Sequence, residues 1–139
     1  MAHTTTANIK RAIVQTLRTS APLVAASSGG IHWRKAPRKV AYPFLVVSRV
    51  AAPIKRDWDQ LEYRTVWDVM AYADNSVEAE QLDTLAGEAL NEAELTVDGQ
   101  TTLLCQRSAD IDGDADIDDE GRQIFQIGGS YRIWTTQPR

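Results

Sequence analysis

The sequence contains very little cysteine and no long apolar stretch. Cys105 is the only cysteine among 139 residues, which excludes an internal disulfide and a cysteine-rich metal site. The longest uncharged stretch, residues 19–32, is interrupted by Ser27-Ser28-Gly29-Gly30 and lacks the roughly 20 apolar residues that cross a bilayer. The polar N-terminus lacks the basic and apolar regions of a signal peptide. We therefore expect no membrane partner and no secretion by a signal peptide.

Acidic residues are missing from the first part of the chain. Residues 1–56 contain ten Lys and Arg and no Asp or Glu, whereas residues 57–139 contain five Lys and Arg and all nineteen acidic residues. The first part therefore carries a charge of +10 and the second a charge of -14, which add up to the net charge of -4. Such a split favours either binding of an external polyanion or pairing of opposite charges between copies of the chain.

Recognisable catalytic patterns are also missing. The sequence has no GxSxG, HExxH, P-loop or GxGxxG motif. His3 and His32 show no metal-site or catalytic-triad spacing with Cys105, and Cys105 follows two leucines, which favours a buried, inert thiol. We therefore predict that the protein is not an enzyme and needs no cofactor or metal.

The length and composition indicate one folded domain. The 139 residues are about one ordinary domain, and 43% hydrophobic and 24% charged residues are typical of globular proteins. We predict a single domain over residues 1–139, with an acidic loop at about 110–121.

Hydrophobic periodicity predicts two long amphipathic helices and a largely antiparallel sheet. The predicted helices cover about residues 5–18, 22–26 and 76–93. The predicted strands cover about residues 31–33, 44–50, 61–73, 101–108 and 122–135. Asp98-Gly99 indicates a hairpin turn, and Gly128-Gly129 indicates a bulge or bend. The expected class is α+β, a mainly antiparallel sheet with two amphipathic helices packed on one face.

A basic loop follows the first predicted strand. It carries four cations, with Trp33 and Tyr42 nearby; the cations are Arg34, Lys35, Arg38 and Lys39. Basic residues interleaved with aromatics are compatible with nucleic-acid binding. The pI of about 5.1 and the absence of nucleic-acid-binding motifs favour a subunit-interface loop instead.

An acidic segment lies between the last two long strands. It holds seven of the nineteen acidic residues, namely Asp110, Asp112, Asp114, Asp116, Asp118, Asp119 and Glu120. The alternating carboxylates imitate an EF-hand loop, but Ala115 and Gly121 stand where that motif needs Gly and a bidentate Glu. A solvated acidic loop, which cations or a basic partner would neutralise, is therefore favoured over a calcium site.

Two tryptophans are candidates for interface contacts. Trp58 lies near the tip of the predicted hairpin between residues 52 and 60, and Trp134 lies near the C-terminus. Trp33 and Trp67 fall on apolar strand faces and are predicted to belong to the core. Aromatic residues at strand ends favour a protein that binds other proteins, although either side chain could lie back on its own sheet.

The order of these features resembles the tail terminator proteins, also called tail-completion or tail-to-head joining proteins, of long-tailed bacteriophages. The resemblance covers nearly the whole chain and rests on pattern and order rather than on one motif. It is carried by Tyr42-Pro43-Phe44, Tyr72-Ala73-Asp74, Val77-Glu78-Ala79-Glu80, Ala89-Leu90 and Tyr131-Arg132-Ile133.

This resemblance implies a structural virion protein at the tail–neck junction, assembled in the host cytoplasm. It implies a ring, expected to be a hexamer, that caps the tail tube and joins it to the head–neck connector. The implied partners are further copies of the chain, the tail tube protein and the connector, with genomic DNA passing through the channel without specific recognition. In such a ring the acidic loop is expected to line the channel or to face a partner. The alternative is a nucleic-acid- or calcium-binding module that uses the basic loop 34–39 or the acidic loop 110–120.

Overall fold

A computed structural model of the protein describes residues 6–37, 39–56, 59–113, 116–117 and 120–138. The helices are α1 (Thr6–Thr19), α2 (Ala21–Ala26) and α3 (Ser76–Leu90). The strands are β1 (Ile31–Trp33), β2 (Phe44–Ala51), β3 (Ile54–Arg56), β4 (Gln60–Ala73), β5 (Thr101–Asp112), β6 (Asp116–Ile117) and β7 (Gln123–Pro138). The predicted α+β class is confirmed.

The strands form a mostly antiparallel sheet. Their order is β1-β2-β4-β7-β5, with β3 beside β4 and β6 beside β7. Only β1 and β2 pair in parallel among the described strands. The predicted, largely antiparallel sheet is confirmed, and its antiparallel pairs include β2 with β4 and β5 with β7.

Alternation along β4 divides the sheet into two faces. Tyr63, Trp67 and Val69 point into the core, and the Trp67 indole N–H donates to Thr65 Oγ1 at 2.7 Å. This bond matters because an unpaired N–H would be costly at a side chain with 1% exposure. The opposite side, called the open face below, carries half-buried Met70 and Tyr72.

The helices bury apolar stripes against the core face. Ile9, Ile13 and Leu17 of α1 are fully buried, as predicted from their helical spacing. In α3, Leu82 and Leu90 are buried in the same cluster. Each such side chain contributes about 1.5–3 kcal/mol relative to exposure, so packing rather than helix propensity holds this layer in place.

The prediction that α3 reaches Ala93 is wrong, because the helix ends at Leu90. Glu92 adopts a left-handed backbone with φ of 60°, and its N–H donates to the carbonyl of Cys105 at 2.7 Å. The Asn91 side chain accepts from the backbone N–H of Arg107 at 2.9 Å. These bonds to β5 divert the chain out of the helix.

The predicted bulge at Gly128-Gly129 is also wrong, because the β4–β7 register runs through both glycines without a shift. The two glycines instead leave space for neighbouring atoms that a side chain would displace. A Cβ on Gly128 would lie 2.3 Å from the carbonyl oxygen of Val69, and one on Gly129 would lie 2.5 Å from Cζ of Arg107. The bulges lie in β5 instead, between Thr102 and Leu104 and between Arg107 and Ala109.

Two connections differ from the simple hairpins that the sequence indicates. The segment between β2 and β4 contains β3, which pairs with β4, while the tip residues Asp57 and Trp58 lie outside the described residues. At Asp98-Gly99 the chain does turn, with φ of 75° at Gly99 and a bond from Gln100 N–H to the Val97 carbonyl. Residues 93–97 form no strand, so this turn joins no hairpin.

Candidate subunit interface

The basic loop returns the chain from the end of β1 to the start of β2. Because these neighbours are parallel, the connection must travel back along the strand before β2 can begin. Arg34 and Lys39 both have left-handed backbones, with φ of 69° and 59°. Such conformations are uncommon for residues other than glycine and cluster at functional sites.

The loop and the open face border a surface cavity of about 600 Å³. Phe44 and Val46 of β2 and Tyr72 of β4 contribute apolar surface. Cationic groups at the cavity come from two parts of the chain, as Arg34, Lys35 and Lys39 of the loop and Arg122 before β7. The cavity therefore combines an apolar floor with a concentration of positive charge.

Three aromatic rings form a ladder beside this cavity. The rings of Tyr42 and Phe44 stack with centroids 5.5 Å apart, and those of Phe44 and Tyr72 stack at 5.0 Å. The guanidinium of Arg122 lies over the Tyr42 ring, 5.1 Å from its centroid. Burial raises the pKa of Tyr72 above its ordinary value, which keeps its hydroxyl neutral.

The structure brings one end of the acidic segment to the basic loop, which the sequence pattern did not indicate. Glu120 lines the same cavity as Lys35 and Lys39, and its carboxylate lies 3.3 Å from the Arg122 guanidinium. Of the predicted basic residues, Arg34, Lys35 and Lys39 are exposed, and Arg38 lies outside the described residues.

The rest of the acidic segment is distributed over two strands and two gaps. Asp110 and Asp112 belong to β5 and are exposed, and Asp116 belongs to β6. Asp114, Asp118 and Asp119 lie outside the described residues. No group of three or more potential metal-ligating side chains occurs among the residues that the structure does describe.

Trp134 lies back on its own sheet at the other end of the open face. It is half-buried, with the Arg64 guanidinium 4.6 Å from its ring centroid and that of Arg132 6.0 Å away. The second interface candidate, Trp58, is outside the described residues. The core prediction holds for Trp67, while Trp33 is half-buried with its ring centroid 5.7 Å from that of Trp67.

Sequence patterns missed the cluster around Arg107. Its guanidinium donates to both carboxylate oxygens of Asp83 at 2.9 Å, to Asp110 at 2.8 Å and to the Tyr131 hydroxyl at 3.1 Å. Hydrogen bonding to Asp83 raises the pKa of Arg107 above its ordinary value. No spacing rule links these four positions, because α3, β5 and β7 meet only in the folded chain. The cluster joins a helix to the sheet.

Cys105 is buried, as predicted. Its Sγ lies 3.0 Å from the Leu90 carbonyl, to which the thiol donates. Burial raises the pKa of the thiol to about 11, so the reactive thiolate is scarce near neutral pH. This environment suits a packing role.

No helix within the described ranges is long and apolar enough to cross a membrane.

Comparison with known proteins identifies the family. The family model for tail completion protein gp17 matches residues 11–136, which is most of the chain. This chain belongs to the tail completion protein gp17 family. Members of this family are structural phage tail proteins, so this protein has a structural role in a tail or virion. No curated protein sequence matches the chain.

Solved structures support the fold of this tail completion protein. A chain from the virion of a native gene transfer agent particle is 15% identical, with a TM-score of 0.65, and the alignment covers 97% of this chain and 99% of that one. A second solved chain is 20% identical with a TM-score of 0.61, covering 94% and 96%. At these identities the likeness shows a shared fold over almost the full length of both chains.

Proposed function

We propose that this tail completion protein forms a closed ring, expected to be a hexamer, that caps the tail tube and joins it to the head–neck connector. Family membership over residues 11–136 carries the proposal. The ring sits at the tail–neck junction of the virion after assembly in the host cytoplasm. It acts by binding other proteins and catalyses no reaction.

The distribution of charge across the sheet supports a ring. The elements that hold the basic part of the sequence, β1, β2 and β3, lie along one side of β4, whereas β5 and β7 of the acidic part lie along the other. In a closed ring each subunit presents one side to the preceding copy and the opposite side to the next. β2 and β3 carry Arg49, Lys55 and Arg56 and no carboxylate, whereas the two arginines and two aspartates of β5 and β7 balance. Repulsion between two basic sides therefore favours a head-to-tail contact over a contact between identical sides.

The proposed function is tested by adding the purified protein to preassembled tail tubes and imaging them by negative stain. We expect extra density on one end of each tube and none along its length. The control is an unrelated globular protein of similar size and net charge at the same concentration. Tubes with bare ends, or protein scattered along the walls, would contradict a capping role.

The competing function is that of a nucleic-acid-binding module, and the salt dependence of DNA retention distinguishes it from a structural ring. Phosphate contacts through the basic loop would make DNA retention fall steeply as salt rises. We expect weak retention of duplex DNA at physiological salt, because the ring only surrounds the passing genome. The calcium alternative is tested by thermal stability with and without calcium, which we expect to be unchanged.

A further inference from the structure

The cavity beside the basic loop has a cationic and apolar lining that is suited to binding an acidic peptide. Among the residues that the structure describes, its lining combines four cations with the carboxylate of Glu120; the cations are Arg34, Lys35, Lys39 and Arg122. Loop residues Ala36 and Pro37 and the floor residues add apolar surface. A ligand that fits such a cavity carries several negative charges and at least one apolar side chain.

The aromatic ladder argues against a nucleic-acid base as the ligand. The Phe44 ring stacks with two others, those of Tyr42 and Tyr72, and the Arg122 guanidinium lies over the Tyr42 ring. A base would have to break these stacks in order to insert between the rings. Carboxylates need no ring face and can pair with the cations at the rim.

A matching ligand lies in the chain itself. Ile117 in β6 has 69% of its surface exposed, the largest exposure among the large hydrophobic side chains that the structure describes as exposed. Its sequence neighbours are Asp116 and Asp118, within a segment of seven acidic residues. Ile117 is not among the described residues that line the cavity of its own chain. The segment thus offers an apolar anchor flanked by carboxylates.

We propose that the cavity of one copy receives the acidic segment 110–120 of a second copy, with Ile117 as the apolar anchor. This inference rests on the proposed ring. Rotation about a ring axis leaves the height of every residue along that axis unchanged. Because Lys39 and Glu120 line one cavity, the basic loop of one subunit and the acidic segment of the next lie at nearly the same height.

The first test measures binding of a synthetic peptide of residues 110–121 to the full-length protein by calorimetry. We expect binding that weakens by about tenfold or more in the Lys35→Glu/Lys39→Glu variant, because repulsion replaces two attractive contacts. The control variant, Arg11→Glu/Lys55→Glu, makes the same charge change at exposed sites outside the cavity and should bind within about twofold of wild type.

Variants of the peptide distinguish the contribution of the Ile117 side chain to binding from the contribution of the carboxylates. A peptide with Ile117→Ser keeps every carboxylate and should bind about fivefold more weakly, since it loses the apolar contact with the floor. A single-stranded oligonucleotide of equal charge tests the phosphate alternative. Tighter binding of the oligonucleotide than of the peptide would overturn the inference.

The second test uses assembly and charge-swap rescue. Mass photometry should show fewer closed oligomers for Lys35→Glu/Lys39→Glu and for Asp112→Lys/Asp116→Lys, with recovery when all four changes are in one chain. Circular dichroism checks that each variant folds. The control is Val77→Ala, which removes exposed apolar surface on α3 and should assemble normally.

Failure of the inference is distinguishable from failure of the proposed ring. If Lys35→Glu/Lys39→Glu forms normal rings and wild type does not bind the peptide, the cavity is not the subunit contact, while the proposed ring stands. If wild type forms no oligomer, the proposed ring is wrong. Peptide binding to that wild-type sample then still tests whether the cavity takes an acidic peptide. Normal assembly with increased DNA retention after Asp112→Asn/Asp116→Asn would place the segment at the channel and overturn the inference.

Discussion

Arg107 connects three elements through one side chain. Its guanidinium and the Asp83 carboxylate are mostly shielded, with 19% and 14% side-chain exposure, and they form a two-point contact between β5 and α3. The same guanidinium donates to the Gly128 carbonyl at 3.0 Å. A lysine keeps the charge but cannot reproduce this planar set of donors.

We therefore expect Arg107→Lys to lower the free energy of unfolding by about 2 kcal/mol, the loss being moderated by partial solvent access. Urea denaturation measures the change. Arg132→Lys is the control, because Arg132 is exposed and its contacts are long, at 3.4 Å to Gln106 Oε1 and 6.0 Å to the Trp134 ring centroid. Equal stability of the two variants would show that the Arg107 cluster contributes little.

Replacing either of two glycines by alanine is expected to change the stability of the fold, but in opposite directions, because their surroundings differ. Gly87 lies inside α3, and a Cβ there would make ordinary contacts at 3.5 Å with Arg107 and Tyr131. Gly128→Ala would force a Cβ against the Val69 carbonyl oxygen and the Met70 sulfur. We expect Gly87→Ala to stabilise the fold by about 0.5–1 kcal/mol. We expect Gly128→Ala to destabilise it by about 1–3 kcal/mol.

Thermal denaturation of the two glycine variants measures whether each is more or less stable than wild type. Because each substitution adds one methyl group, the comparison holds the chemical change constant and varies only the site. A destabilising Gly87→Ala would mean that α3 has no room against β7, and a neutral Gly128→Ala would mean that β4 and β7 can separate locally without cost.

At the scale of the element, α3 begins with a side-chain cap. The Asn75 side chain accepts from the backbone N–H of Glu78 at 2.8 Å, satisfying a donor that the first helical turn leaves unpaired. Asn75→Ala should lower the free energy of unfolding by about 1 kcal/mol. Asp74→Ala, at the neighbouring exposed position, should change it far less. Equal losses in urea denaturation would contradict the cap.

Local patterns predicted most elements because their signals are local. Hydrophobic periodicity predicted the start of α3 at Ser76 and a strand over residues 61–73, one residue shorter than β4. The end of α3 was missed because bonds to Cys105 and Arg107, distant in sequence, divert the chain. The strand β3 was missed for a similar reason, since its three exposed residues form a strand only by pairing with β4.

The candidate interface could be predicted only in part. Composition marked the basic and acidic segments, because charge is visible residue by residue. Their meeting at one cavity depends on the parallel β1–β2 pair, which turns the loop back beside the open face, and on the pairing of β6 with β7. Neither pairing has a sequence signal, so the cavity beside Phe44 and Tyr72 emerged only from the fold.

At the scale of the whole molecule, charge, topology and family membership agree on an assembly protein. The family establishes a structural role in the tail. The sheet places the basic strands β2 and β3 on one side of β4 and the charge-balanced strands β5 and β7 on the other. Such a subunit has two unlike sides, as the head-to-tail contacts of a closed ring require.

Mass photometry of the purified protein over a range of concentrations, repeated with tail tubes, tests the ring most directly. The account predicts a discrete particle of six times the 15.4 kDa chain mass, which becomes dominant when tube ends are present. A particle of one chain mass at every concentration, unchanged by tubes, would contradict the ring.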